Sequence, residues 1–261
     1  MDKIKFDYNL SLIEELVNKN KYYDAIDKAK EVLKEVDINS DLGNSFNNGI
    51  EYYLYLTNYD KKIKKADLNY KKLLDMYGTC LMLIGKYIEA RSILKKSLEI
   101  DPFCDLTRFK YVDTFRLTNE LDEYFNESNN ALKYVYKAES FQRFYRNLSE
   151  YYFRYENYVE SLYMILFARY VSEANEEVTK AELFRIYDCL GKELDPSIDA
   201  ILNFMENKSI NSPSIIINEL NYIYTKIKDY DAITAIDIIK NLYDLTNDEN
   251  YKKILDKVNL S

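Results

Sequence analysis

Residues 71–104 read KKLLDMYGTCLMLIGKYIEARSILKKSLEIDPFC, and the spacing within this stretch decides the fold. Gly78 and Ala90 are small residues on two apolar-periodic segments, where two helices could cross closely. Gly85 lies between the segments, at a position that suits a left-handed helix cap. Pro102 follows the second segment, and a helix does not readily continue through proline. The stretch therefore predicts two helices joined by a tight turn.

The same stretch resembles one tetratricopeptide repeat (TPR), a helical hairpin of about 34 residues. Tyr77 and Gly78 occupy its Leu-Gly positions, and Leu74 stands in its tryptophan position. The other positions of the pattern are filled by Leu81, Gly85, Tyr87, Ala90 and Pro102. This resemblance implies hairpins that stack into a solenoid, with the first helix of each hairpin lining a concave binding surface.

The position that begins each second helix recurs along the chain with a mean interval of about 35 residues. It is occupied in turn by Tyr22, Tyr59, Tyr87, Leu121, Tyr158, Glu193 and Tyr230. We therefore expect an all-α fold, a right-handed α-α superhelix (TPR solenoid) of about six to seven helix pairs. The predicted array covers residues 1–247, with the best repeats at 71–104, 142–175 and 214–247, and the amphipathic segment 248–261 is predicted to be a C-terminal capping helix.

Two repeats depart from the pattern. The second is short, and the Lys-rich segment from Asp60 to Lys65 stands where its second helix should pack. In the sixth, Gly191 fits the turn, but Pro196 suits only the first turn of a following helix. We expect that one of these two is not a true repeat.

Composition argues against catalysis. The chain has 261 residues, a formal net charge of −8 and no histidine. It therefore has no imidazole base, no Ser-His-Asp or Cys-His pair and no Cys/His zinc site. The sequence contains 44 Asp and Glu residues, but none stands in an obviously apolar setting that would raise its pKa for acid catalysis. We expect no catalytic residue, no cofactor and no metal, so the chain is predicted not to be an enzyme.

Other features bear on location. The N-terminal segment has no continuous apolar core of the kind found in a secretory signal. The longest apolar run, 162–168, is too short to span a bilayer. The cysteines Cys80, Cys104 and Cys189 have no CxxC spacing and favour reduced thiols. These features predict a cytoplasmic protein that does not enter the membrane.

Helical geometry places several side chains on the inner stripe of the predicted first helices. The candidate binding residues on this stripe are Lys72, Phe109, Asp113, Arg116, Arg143, Arg146, Glu150 and Phe153. Six of the eight arginines fall between residues 108 and 169, where basic and acidic residues are equal in number. Guanidinium groups suit carboxylates, so this charge pattern directs attention to an anionic partner.

The resemblance implies a binding function, that of a scaffold or adaptor for another protein. Our hypothesis is that Arg116, Arg143 and Arg146 bind an acidic or C-terminal peptide segment, with Phe109 and Phe153 as apolar contacts. The alternative is that the arginines pair with neighbouring glutamates on solvated helix faces. The Lys/Asn/Arg carboxylate clamp of some TPR domains is not found in adjacent repeats.

Two other functions compete with the scaffold. One is a sensor whose solenoid closes around a short signalling peptide, as in TPR peptide receptors. The other is a helical-repeat RNA binder, because residues 141–155 interleave arginine with aromatic residues. The acidic chain disfavours nucleic acid. The sequence does not indicate an oligomeric state.

Overall fold

The computed structural model describes residues 2–35, 42–59 and 63–259. Within these residues the chain forms 14 α-helices and no β-strand, apart from one bridge between Asn44 and Lys65. The all-α fold class is therefore confirmed. In chain order the helices are α1 Lys3–Asn18, α2 Tyr22–Leu33, α3 Gly49–Asn58, α4 Tyr70–Leu83, α5 Tyr87–Ile100, α6 Asp105–Leu117, α7 Leu121–Ala131, α8 Ala138–Arg154, α9 Tyr158–Val171, α10 Glu176–Leu190, α11 Ile198–Asn207, α12 Ser214–Ile227, α13 Ala232–Thr246 and α14 Glu249–Asn259.

The hairpin of α4 and α5 has the close helix crossing that the sequence predicts. A Cβ atom added at Gly78 would lie 2.7 Å from the Leu94 side chain, so only glycine fits there without displacing it. Ala90 and Leu94 on α5 are fully buried, as are Leu74 and Leu81 on α4. The glycine thus lets the two helices approach and bury a continuous apolar surface.

The turn between α4 and α5 is a Schellman motif, in which two amides satisfy the last carbonyls of the helix. Gly85 has φ +79°, and the Lys86 amide donates to the Leu81 carbonyl over 2.8 Å. The same hydrogen-bond pattern and a positive φ recur after α1, α6, α8 and α11, where the left-handed residues are Asn20, Asn119, Glu156 and Ser209. The same turn motif therefore ends five helices, and in four of them the left-handed residue is not glycine.

Most predicted helix starts agree with the structure. Helices begin at Tyr22, Tyr87, Leu121 and Tyr158, and α13 begins two residues after Tyr230. The segments 71–104, 142–175 and 214–247 each contain a turn between two helices. The fold is therefore built from helix pairs at the predicted register over most of the chain.

The second repeat is the main departure. Tyr59 caps the C-terminus of α3 instead of beginning a helix, and residues 60–62 of the Lys-rich segment lie outside the described residues. Residues 63–69 are not helical, and Lys65 instead forms the bridge with Asn44. A segment with so few apolar residues has no face to bury as a helix.

The sixth repeat also differs from the prediction. Gly191 has φ +67° and ends α10, as expected. Glu193, however, lies in a loop, and α11 begins at Ile198 with the Ser197 hydroxyl accepting from the Ala200 amide. Pro196 therefore precedes the N-cap instead of occupying the first turn. Helix α11 packs against α9.

The chain divides into two compact units, Met1–Glu120 and Leu121–Ser261. In the first unit α1, α2, α4, α5 and α6 pack on their neighbours in the chain, around the core of α4 and α5. In the second, α8 and α9 form the most extensive helix pair, and α13 returns to pack against α8.

In the second unit, asparagine side chains hold the loop before α12 against the preceding helices. The Asn129 carboxamide accepts from the Asn211 amide over 2.8 Å and donates to the Ser209 carbonyl over 3.0 Å. The hydroxyl of the fully buried Tyr145 donates to the Asn211 carbonyl over 2.8 Å. These bonds fix the loop before α12 onto α7 and α8.

The C-terminal helix α14 packs on α13, and the Tyr251 hydroxyl donates to Asn221 over 2.8 Å. Tyr251, Ile254 and Leu255 are half-buried, whereas Val258 is exposed. Leu260 and Ser261 of the predicted capping segment lie outside the described residues. That α14 acts as a solubilising cap remains a prediction.

Candidate functional site

In the second unit, three of the four predicted binding residues on α8 contact side chains of α10. Arg146 donates to Glu182 through Nε and an Nη atom, over 2.7 and 2.6 Å. Both side chains are partly buried. Arg146 thus connects two successive first helices of the repeat pattern, as the alternative interpretation of the arginines describes. Arg143, one turn earlier, is exposed.

Glu150 on α8 is shared between two arginines. Arg154 of the same helix and Arg185 of α10 each donate to it over 2.8 Å. Burial of Glu150 opposes its ionisation, but the hydrogen bonds from the two arginines outweigh burial and lower its pKa below the ordinary value. The Arg185 guanidinium also lies 3.9 Å from the centre of the Phe153 ring. Glu150 and Phe153 therefore hold α8 to α10.

The aromatic residues of segment 141–155 are largely core. Phe141, Phe144 and Tyr145 are completely buried, and Tyr152 is 6% exposed. Rings in these positions cannot stack on bases. Of the segment's aromatic residues, only Tyr151, Phe153 and Tyr155 keep exposed surface that a base could reach.

In the first unit the predicted residues lie on α4 and α6. Lys72 forms an ion pair with Glu14 of α1 over 2.8 Å, and Arg116 lies 3.5 Å from Asp113. Phe109 is half-buried on the same helix as Arg116. Lys72 alone among the eight predicted residues borders the cleft described next.

This cleft, which we call the lysine cleft, has a volume of about 490 Å³. It lies among α1, α4, α6 and the segment before α3. Its lining combines apolar atoms, amides and charges, with three lysines and one aspartate. The lining residues are Val17, Ser45, Phe46, Asn47, Asn69, Lys71, Lys72, Asp75, Met76, Thr79 and Lys110. An excess of positive charge in a chain of net charge −8 favours anionic ligands.

A buried polar cluster lies behind the cleft, centred on Lys71. The Lys71 side chain is 6% exposed, and its ammonium donates to Asp75 over 3.1 Å, to Asn47 over 3.3 Å and to the Cys104 sulfur over 3.2 Å. Burial opposes its protonation, but the surrounding carboxylates, Asp75 foremost, raise its pKa above the ordinary value. Lys71 therefore carries its charge and is compensated locally.

Asp75 is bonded from its other side. The hydroxyls of Ser97 on α5 and Thr107 on α6 donate to its Oδ1 over 2.6 and 2.7 Å. Asp75 thus holds three helices around one carboxylate. Since Asp75 and Lys71 both line the cleft, this network fixes the cleft floor.

Two further carboxyl groups are buried in the cluster. Glu51 is 2% exposed and Asp101 is not exposed at all. Burial, followed by the nearby Glu51 charge, raises the pKa of Asp101 to about 8, although Lys71 acts in the opposite direction. Asp101 Oδ2 has no conventional donor within hydrogen-bond reach, and Lys71 Nζ lies 3.9 Å away. A protonated Asp101 can instead donate to Glu51, which accounts for the otherwise unpaired oxygen.

The expectation that no carboxylate has a burial-raised pKa is therefore wrong for Asp101. Asp101 is flanked in sequence by Ile100, Pro102 and Phe103, which are buried with it. These apolar neighbours are a local signal for burial, but Glu51 and Lys71, the charged groups that act on Asp101, approach it only through the tertiary fold.

A larger cavity, of about 790 Å³, lies in the second unit. Its charged lining residues are of both signs: Lys137 and Arg169 against Glu139, Glu173 and Asp244. None of the residues predicted from sequence lines it. It therefore has no charge preference comparable with that of the lysine cleft.

No helix in the described parts of the chain is both long enough and apolar enough to cross a bilayer. Among those same residues, no group of three acidic or cysteine side chains comes together to hold a metal ion.

Comparison with known proteins identifies structural neighbours only. No protein-family model and no curated protein matches the chain. Among solved structures, it is similar to the MamA RS-1 ArsTM double mutant, with 10% identity, a TM-score of 0.45, and coverage of 71% of this chain and 94% of that one. It is also similar to YrrB, described as a TPR protein with an unusual peptide-binding site, with 12% identity, a TM-score of 0.36 and coverage of 80% and 98%.

A TPR protein from Parabacteroides merdae matches at 13% identity and a TM-score of 0.39, with coverage of 96% of this chain and 97% of that one. These identities and TM-scores are too low to support an argument, so the fold is described from the chain's own helices. They show paired helices at the TPR register, the recurring Schellman turn and the close crossing at Gly78. The chain is thus an all-α protein of paired helices, and these helices agree with the TPR-like pattern of its sequence.

Proposed function

We propose that this protein is a non-catalytic scaffold or adaptor that binds an acidic segment of a partner protein in the lysine cleft. The observation that carries the proposal is the state of Lys110. Within the described residues, its ammonium makes one hydrogen bond, to the Thr79 hydroxyl over 2.7 Å, and no ion pair. Lys110 is thus a partly buried cation at the cleft that has no carboxylate partner among the described residues.

Lys72 provides a second cation at the same cleft. Its partner Glu14 is 48% exposed and its own side chain 42% exposed, so water weakens their attraction. A ligand carboxylate can compete for Lys72 at low cost. Val17, Phe46 and Met76 add apolar surface between the charges. The cleft therefore suits a segment that carries both acidic and apolar side chains.

The proposed site is centred on lysines of the first unit, whereas the site predicted from sequence was centred on arginines of α6 and α8. Of the three arginines first proposed as ligands for the peptide, Arg146 is already satisfied by Glu182. The lysines of α4 and α6 take over that role. Phe109, Asp113 and Arg116 share α6 with Lys110 and remain proposed contacts at the periphery, whereas Arg143 remains a proposed contact on α8.

Selection from a random 12-residue peptide library displayed on phage tests the proposal, with the intact chain as bait. We expect the recovered peptides to be enriched in Asp and Glu. We also expect Lys110→Glu to weaken their binding about tenfold or more, because it places like charges together in a partly desolvated site.

Lys96→Glu is the matched control. It makes the same charge change in the same unit, on α5, at a residue that does not line the cleft. Peptides without acidic enrichment, or equal losses from the two variants, would contradict the proposal. Circular dichroism of both variants establishes that neither change unfolds the helices.

A further inference from the structure

The wall of the lysine cleft contains a short non-helical segment that is fixed at both ends. At its first end, the Asn44 amide donates to the Lys64 carbonyl over 2.6 Å, and the Asn44 carbonyl accepts from Ala66 over 3.0 Å. The Asn44 carboxamide donates to the Ile100 carbonyl over 3.0 Å. The two main-chain bonds form the parallel bridge to Lys65, within the segment where the second helix of the second repeat was predicted.

At its other end the segment is fixed by the buried polar cluster. The Asn47 amide donates to Glu51 over 2.6 Å, and the Asn47 carboxamide oxygen accepts from Lys71 over 3.3 Å. Glu51 is itself buried beside Asp101. The cluster thus holds Asn47 through buried groups that cannot move without leaving their own partners unpaired.

Between these ends, Ser45 and Phe46 border the cleft with free main-chain groups. Neither residue has a main-chain hydrogen bond in the described part of the chain. The Phe46 ring packs on Tyr52 and Tyr55 of α3, with ring centres 5.9 and 5.3 Å away. The side chain is therefore anchored, while the amide and carbonyl groups are unused.

The bridge determines where these unused groups lie. Asn44 directs its amide and carbonyl towards residues 64–66. In extended backbone, the next residue directs its groups to the opposite edge. An extended Ser45 directs its unpaired amide and carbonyl away from residues 64–66, which is how the edge of a sheet accepts another strand.

We propose that the lysine cleft binds its acidic peptide as an extended strand, whose main chain hydrogen-bonds to the amide and carbonyl of Ser45 while its acidic side chains approach Lys72 and Lys110. This inference rests on the proposed function and specifies the conformation of the ligand. In such an arrangement main-chain bonds supply affinity and side-chain pockets supply specificity.

The edge is already held in place before the ligand arrives. Because Asn44 and Asn47 are bonded on both sides of it, little backbone entropy is lost when a strand pairs there. The ligand's alternate side chains fall on opposite faces. One face meets the lysines, and the sequence along the other face is weakly constrained.

N-methylation of a selected acidic peptide tests the pairing from the ligand side. Each peptide amide in turn is methylated, and affinity is measured by fluorescence anisotropy. We expect a loss of about fivefold or more where the amide donates to the edge, and little change at the next residue along. A uniformly small effect along the peptide would overturn strand pairing.

A pair of variants at Ser45 tests it from the protein side. Ser45→Pro removes the main-chain donor and restricts the preceding residue to extended backbone, which Asn44 already suits. Ser45→Ala removes only the hydroxyl. We expect the proline variant to lose about fivefold or more in affinity and the alanine variant to bind as the parent does.

The outcomes separate the two proposals. If no acidic peptide is selected, or if Lys110→Glu has no effect on those that are, the proposed function fails and the strand pairing with it. If acidic peptides bind through Lys110 but neither Ser45→Pro nor any N-methylation weakens them, only the strand pairing fails. The methylation scan uses the unaltered protein, so it decides the matter even if the proline variant does not fold.

Discussion

The two units differ in how the charged side chains on their first helices are paired. On α8 and α10, arginines and glutamates pair across the helices at partly exposed positions, as Arg146 and Glu182 do. Around α4 and α6, Lys71 is buried among several carboxyl groups. The other two lysines at the cleft have, among the described residues, an exposed ion pair (Lys72) and a hydroxyl partner (Lys110). Paired charges connect helices, whereas an uncompensated cation beside a cleft remains available to a ligand.

The largest expected effect of this difference concerns Lys71. Lys71→Met keeps the length of the side chain but leaves Asp75 and the Asp101–Glu51 pair without their cation. Removing one partner of a buried ion pair typically lowers the free energy of unfolding by about 3–5 kcal/mol. We expect a loss of this size in urea denaturation followed by far-ultraviolet circular dichroism.

Lys72→Met is the matched control for that change. It alters the adjacent residue, whose ion pair with Glu14 is exposed, and exposed pairs contribute about 0.2–1 kcal/mol. Equal effects of the two substitutions would show that the Lys71 cluster is as well solvated as the surface.

The second prediction concerns the pH dependence that Asp101 confers. In the folded chain its pKa is about 8, whereas in the unfolded chain it is about 3.9. Between these values the folded state holds a proton that the unfolded state releases. The unfolding free energy therefore falls as pH rises from about 4 to 8. The charged groups that face Asp101 are Glu51 of α3 and Lys71 of α4.

Asp101→Asn removes this titration and keeps a donor that can reach Glu51. We expect the variant to gain stability relative to the parent between pH 5 and pH 8, by roughly 2–4 kcal/mol at about 1.4 kcal/mol per pH unit. Urea denaturation at both pH values measures the change. A stability difference between the two proteins that does not vary with pH would mean that Asp101 is ionised throughout this range.

The third prediction concerns the paired arginines of the second unit. A double-mutant cycle of Arg146→Met and Glu182→Gln measures their coupling directly. We expect about 1 kcal/mol, because the pair is bidentate but partly exposed. The coupling should fall as salt is added.

The pair of Arg169 and Glu176 is the control for this cycle. Its atoms are 3.7 Å apart and both side chains are 44% exposed, so the same cycle there should give a coupling close to zero. A coupling at Arg146 as large as the loss expected for Lys71 would remove the contrast between the two units.

The sequence predicted the parts of the structure that depend on local spacing. Gly78 and Ala90 mark a helix crossing whose requirement for small residues is visible in the repeat pattern itself. The starts of α2, α5, α7 and α9 follow from the same register. Packing between neighbouring helices is a local consequence of that register, so these elements could be predicted.

The candidate site could be predicted only in part. Lys72 follows from the inner stripe of α4, but the cleft is also lined by the non-helical residues 45–47, which the repeat pattern does not place beside α4. The partners of Asp101 and Lys71 come from segments separated by tens of residues, which no periodicity connects. Likewise, only the fold reveals that Arg146 is satisfied by Glu182.

The smallest expected change in unfolding free energy concerns the hairpin turns, one in each unit. Gly85 and Glu156 occupy the same left-handed position, with φ of +79° and +58°. A residue with a Cβ atom is strained there, whereas glycine is not. We expect Glu156→Gly to raise the free energy of unfolding by about 0.5–1 kcal/mol, and Gly85→Ala to lower it by about 1 kcal/mol.

Glu156→Ala separates the backbone from the side chain, because it removes the carboxylate but keeps Cβ. It should leave stability nearly unchanged in the same urea denaturation. No atom lies within 4 Å of a Cβ added at Gly85, so the loss at that position would come from the backbone conformation and not from a steric clash. If the alanine and glycine variants at position 156 were equally stable, the turn of the second unit would not be strained. The glycine that marks the turn of the first unit would then be dispensable as well.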